Sequence, residues 1–145
     1  VQALALPNSG RYQDDNAAIQ IALADGSFGT IQYLANGDRS CMKERIEAFS
    51  GGRIAILSDF RELDTWNAGE MKKTKAGLRM DKGHSRSWKA FVDAAVNGGA
   101  APIPLDEIFA ASLASFAAVE SIRQKDGIQV PAVESLSEIS LNGGE

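Results

Sequence analysis

"NAAIQIALADGSFGTIQYL", residues 16–34, decides how this chain folds. Ile19, Ile21 and Leu23 alternate with Ala18, Gln20 and Ala22, the period of two that gives a strand one branched face and one mild face. "ADGS" at 24–27 then asks for a hairpin, because glycine adopts the positive φ that such a turn needs. "FGTIQYL" returns as the partner, with Ile31 and Tyr33 on one face and Phe28, Thr30, Gln32 and Leu34 on the other. The same grammar recurs downstream. "ERIEAF" and "RIAIL" flank "SGG" at 50–52, and "FRELDTW" and "EMKKTK" flank "NAG" at 67–69. Lysines on the last of these strands suit a sheet edge, where charge discourages pairing with other chains.

Beyond residue 83 the period changes. Trp88, Phe91, Val92, Ala95 and Val96 follow the spacing of an amphipathic helix over 84–97, and "NGG" at 97–99 stops it. "APIP" leads to a second helix over about 105–123. Asp106 and Glu107 sit at its positive end and Arg123 and Lys125 at or just past its negative end, as the helix dipole favours. Strand runs followed by helix runs predict an α+β fold: an open, mainly antiparallel sheet built from hairpins, with two main helices packed on one face. Residues 1–128 form a single domain on this reading. The tail, 129–145, offers a short strand at "QVPAV" and then an acidic, serine-rich stretch that is loosely held. If the Ile19/Ile21/Leu23 face takes the helices, Ala18, Gln20 and Ala22 point the other way. Either Thr30 and Gln32 or Ile31 and Tyr33 join them, since register is not fixed by sequence. That second face is an interface with another subunit or a plainly solvated surface.

Composition narrows the function classes. The chain has 145 residues, 44% hydrophobic and 23% charged, with a net charge of −4, which gives no electrostatic footprint for nucleic acid. Its one cysteine, Cys41, allows neither an internal disulfide nor a cysteine metal cluster, and fits a reducing, cytoplasmic setting. We read Cys41 as a packing or incidental thiol rather than a nucleophile. No apolar run approaches the roughly 20 residues of a membrane span, and no signal peptide is visible. The start, "VQALAL", lacks a methionine and opens on a strand pattern, as a piece of a longer chain would.

Little in the sequence carries chemistry. There are 14 glycines but no Gly-x-Gly, so the dinucleotide fingerprint is missing, and no Gly-Lys-Ser/Thr phosphate loop occurs. No Gly-x-Ser-x-Gly elbow holds a serine nucleophile. The carboxylate pairs Asp14/Asp15 and Asp106/Glu107 read as a loop and a helix start. The sole histidine, His84, lies in "MDKGHSRSWKAF", 80–91, one helical turn before Trp88. It has three readings: a structural residue packed on the indole, a polar rim shared with Lys82 and Arg86 that binds hydroxyls or carboxylates, or a general acid–base. We take Lys82, His84 and Arg86 as substrate-binding candidates, and no residue as catalytic, cofactor-binding or metal-ligating.

The succession "ADGSFGTIQY", "DKGH" and "PIPLDE", within residues 14–124, resembles the C-terminal domain of the Gfo/Idh/MocA oxidoreductases, the family of glucose-fructose oxidoreductase and inositol dehydrogenase. In that family an N-terminal Rossmann domain binds NAD or NADP and a Glu-Lys-Pro motif supplies a catalytic lysine. The C-terminal domain lines the substrate site, and its exposed sheet face commonly builds the dimer or tetramer. The resemblance therefore implies a homo-oligomer, a sugar-type substrate, and a cofactor held by a domain outside this chain. It also has gaps. None of the seven lysines precedes a proline. The family's Asp-x-x-x-His pair is not matched either, since Met80 stands four before His84 and Asp81 only three before. The expectation is a substrate-side and oligomerisation domain that is inactive alone. Its rival is a non-enzymatic interaction module that uses the sheet face.

Overall fold

The computed structural model describes residues 1–11, 15–76 and 80–132. Asp14 of the carboxylate pair and the tail from 133 to 145 lie outside the described residues. The chain divides into two compact units, Val1–Gly37 with Ile103–Glu145, and Asp38–Pro102. The α+β class and the antiparallel hairpins are as the periodicities require, but the strands are shared between two sheets.

In the first unit, β1 (Gln2–Ala5), β2 (Asn16–Ala22) and β3 (Phe28–Leu34) form an antiparallel sheet in that order. Register settles what the sequence left open. Ala3, Ile19 and Ile31 stand opposite one another, as do Ala5, Ala17 and Tyr33, so these six share one face. Gln2, Gln20 and Thr30 share the other, with Leu4, Ala18 and Gln32. The helix numbered α2 (Leu105–Gln124) lies against β1. Small residues at this seam allow the close approach: Ala3, Ala117, Ala118 and Ser121 are all buried. Ser121 also accepts a hydrogen bond from the Ala3 amide at 2.8 Å and donates one to the Asp126 carbonyl at 2.6 Å. After the helix, Val1 and Ile128 exchange backbone hydrogen bonds, which pins the chain start beside it. Residues 129–132 carry no strand.

In the second unit, β4 (Arg45–Ser50), β5 (Arg53–Ser58), β6 (Glu62–Asn67) and β7 (Glu70–Lys75) form a four-stranded meander. Each of its three hairpins turns on two residues with positive φ: Gly51 and Gly52, Asp59 and Phe60, Ala68 and Gly69. Such paired left-handed residues match the twist of the flanking strands, which is why Gly-Gly at 51–52 is so favourable there. The strand expected from Phe60 begins at Glu62 instead, because Phe60 is a turn residue. The helix α1 (His84–Asn97) follows the sheet and has the bounds that its periodicity predicts. Its packing differs from expectation: none of its residues is buried, and Trp88, Phe91 and Val96 are 68%, 54% and 77% exposed. Among the described residues, no helix is long and apolar enough to cross a membrane.

Candidate functional site

The junction before α1 holds all three candidate residues. Asp81 organises it. One carboxylate oxygen accepts the Gly83 amide at 2.8 Å, and the other accepts the Arg86 guanidinium at 2.9 Å. Gly83 then adopts a left-handed φ of 80° and opens the helix, its carbonyl accepting the Ser87 amide. Lys82 turns elsewhere. Its ammonium donates to the carboxylate of Glu44, just before β4, and lies 5.4 Å from the ring centroid of Phe60. That distance is within reach of a cation–π contact. The His84 side chain is exposed and makes no hydrogen bond among the described residues.

Sequence neighbours have therefore been given separate tasks. Lys82 closes the loop onto Glu44, Arg86 braces the first turn, and His84 faces solvent. The packed-histidine reading is not what the structure shows, for the ring against Trp88 is Phe91, 6.0 Å away between centroids. Glu44 and Phe60 were missed because neither lies near the motif in sequence. The Asp81-x-Gly83 spacing was the one signal available, since an aspartate often bonds to the amide two residues on.

Charge is organised a second time, across β6 and β7. Glu62 stands opposite Lys75, and Asp64 opposite Lys73. Lys75 lies 3.1 Å from Glu62, and Lys73 reaches Asp64 at 3.3 Å and Glu62 at 3.4 Å. The Lys75 ammonium, helped by Lys73, holds the Glu62 carboxyl below the usual carboxylate range. Asp64, with Glu62, pushes the Lys73 ammonium above the usual lysine range. Hydrogen bonds from Ser27 and Ser40 likewise lower Asp25 and Asp38 in their turns. These are pairs on an exposed surface, and the serines bonded to Asp25 and Asp38 belong to their own turns, with no histidine bonded to either among the described residues.

Two open grooves lie in the first unit. One, of about 500 Å³, runs along α2 past Leu113, Phe116 and Val119 and is rimmed by Glu120 and Arg123. The other, of about 600 Å³, is lined by the side-chain amides of Gln2, Gln20 and Gln129, with Thr30, Phe28 and Val1. Neither is lined by Lys82, His84 or Arg86. Cys41 is exposed, which leaves the incidental of the two thiol readings. Among the described residues, no group of three or more His, Cys, Asp or Glu side chains converges as a metal site would.

Neither helix start among the described residues suits the pyrophosphate of a dinucleotide. A helix start binds pyrophosphate through free amides and positive charge. At α1 the Gly83 amide is already bonded to the Asp81 carboxylate, and at α2 the start is Pro104, with Asp106 and Glu107 in the first turn. Both starts present acid where phosphate would sit. The chain matches no family model, no curated protein and no solved structure.

Proposed function

We propose that this chain is the substrate-side and oligomerisation domain of an NAD(P)-dependent oxidoreductase acting on a sugar or polyol, not competent alone. In that role the open face of the β1–β3 sheet meets another subunit. The observation that carries the proposal is the chemistry of this face. Gln2, Leu4, Ala18, Gln20, Ala22, Phe28, Thr30 and Gln32 occupy it without one charge, and Leu4 and Phe28 are 69% and 83% exposed. Charge depletion with exposed aromatic and aliphatic side chains marks the centre of protein interfaces. The sugar-type substrate, the NAD or NADP partner domain and a cytoplasmic setting rest on the resemblance of "ADGSFGTIQY", "DKGH" and "PIPLDE".

Sedimentation of the chain, with a dehydrogenase assay on sugars and polyols with NAD and NADP, tests this reading. We expect a dimer or larger assembly and no turnover. A monomer at every concentration would sink the oligomerisation role, and turnover would sink the claim of dependence on another domain.

The same face suits a non-enzymatic interaction module, which the separation of Lys82, His84 and Arg86 into different contacts favours. The gene upstream of Val1 discriminates between the two. A Rossmann glycine fingerprint followed by Glu-Lys-Pro supports the oxidoreductase, and its absence supports the module.

A further inference from the structure

We propose that Asn36–Gly37, in the loop after β3, is a site of spontaneous covalent modification, converting to aspartate and isoaspartate through a succinimide. The reaction needs an accessible asparagine carboxamide, an unhindered following amide nitrogen, and water. Asn36 and Gly37 are both exposed. The Asn36 amide is held by the Asn16 side-chain oxygen at 3.0 Å, while its own carboxamide makes no hydrogen bond among the described residues. Gly37 has no side chain to shield its nitrogen.

The steps balance with water as the sole co-reactant. The Gly37 nitrogen attacks Cγ of Asn36, forming the ring N–C bond. The Cγ–Nδ2 bond breaks, and ammonia leaves with the proton lost from the Gly37 amide. Water then opens the ring at either carbonyl. Opening at one gives aspartate, and opening at the other gives isoaspartate, with the backbone rerouted through the side chain. That rerouting lengthens the chain beside the Asn36 amide and disturbs its bond to Asn16, itself buried at the start of β2.

The same dipeptide occurs at Asn142–Gly143, outside the described residues, and at Asn97–Gly98, in a setting that opposes the reaction. There the Asn97 carboxamide donates to the Asp93 carbonyl at 2.9 Å, and the Gly98 amide donates to the Ala94 carbonyl as the cap of α1. Electrophile and nucleophile are both engaged, so the last helical turn must open before attack.

Incubation of the chain at mildly alkaline pH, followed by peptide mass spectrometry with isoaspartate detection, reads Asn36 and Asn97 separately. In the folded chain we expect Asn36 to convert at least about tenfold faster than Asn97, the factor that a modest local-opening cost imposes. In denaturant the two rates should converge. Gly37→Ala should slow Asn36 several-fold while preserving the fold, since its Cβ would meet nothing nearer than the Leu34 carbonyl oxygen at 3.9 Å. Equal rates in the folded chain, or a difference that survives denaturation, would overturn the proposal.

Discussion

Ser121 contributes a hydroxyl where α2 crosses β1, and both of its bonds are to backbone: it accepts from the Ala3 amide and donates to the Asp126 carbonyl. Its replacement by alanine leaves a buried donor without a partner, and such an orphan costs about 1–3 kcal/mol. Ser121→Ala should therefore lower unfolding stability by that amount in a denaturant titration, although it removes a single oxygen. The contrast at the α1 junction is instructive. Lys82→Ala strands Glu44, one of whose carboxylate oxygens is already buried without a hydrogen-bond partner among the described residues, and should cost about 1 kcal/mol. Arg86→Ala breaks a pair between largely exposed groups and should stay within about 0.5 kcal/mol. If the two changes prove equal, Glu44 is not the residue that makes Lys82 structural. None of this was visible in "MDKGHSRSWKAF", where Lys82, His84 and Arg86 look like one cluster. Local spacing reports neighbours along the chain, whereas Glu44 and Phe60 reach the motif only through folding.

The hairpins mark the limit of sequence reading among the elements. Gly51–Gly52 declares its turn because glycine is the residue that two successive left-handed positions favour. Asp59–Phe60 makes the same turn with a bulky side chain at φ 53, so its sequence reads as the start of a strand. Ala68 is the intermediate case, at φ 50 beside Gly69. Left-handed backbone costs an L-residue about 1–2 kcal/mol, part of which glycine's unfolded-state freedom takes back. Ala68→Gly should thus stabilise the β6–β7 hairpin by up to about 1 kcal/mol, measured by thermal or denaturant unfolding. The ion pairs on these two strands give the hairpin a pH dependence. Glu62 has a lowered folded pKa, so its contribution is complete above the ordinary carboxylate value and is lost as pH falls through the lowered one. Lys73 has a raised folded pKa, so its contribution is complete below the ordinary lysine value and is lost as pH rises through the raised one. The protection of the β6 and β7 amides, taken as exchange relative to the intrinsic rate at each pH, should be greatest between those limits and fall at both ends. Added salt should flatten the profile, because the pairs are exposed. A profile unchanged in Glu62→Gln would remove the carboxylate as its source.

Across the molecule, the described residues that are both apolar and buried are Ala3, Ala117 and Ala118, all in the first unit. The second unit keeps its larger apolar side chains half-buried or open: Ile46, Phe49 and Met71 on the sheet are 52%, 67% and 48% exposed, and the α1 stripe is uncovered. Periodicity did announce these side chains as one-faced stripes, and it placed both helices well. It could not say what covers them, because a stripe specifies that burial is wanted and not the partner that supplies it. Alanines bury too little area to oppose the conformational entropy of ordering a chain. On the oligomerisation proposed above, a second copy seated on the uncharged face of the β1–β3 sheet adds apolar burial to what these alanines supply. A folded state that is favoured by association becomes more stable with concentration, by mass action. The midpoint of thermal unfolding should therefore rise as the protein is concentrated, and Thr30→Glu, on the open face, should abolish the rise. Both β3 and Thr30 are exposed, so that charge does not disturb packing within the sheet. A midpoint independent of concentration in the unaltered chain would mean that copies of it do not cover these surfaces, and would overturn the oligomerisation role.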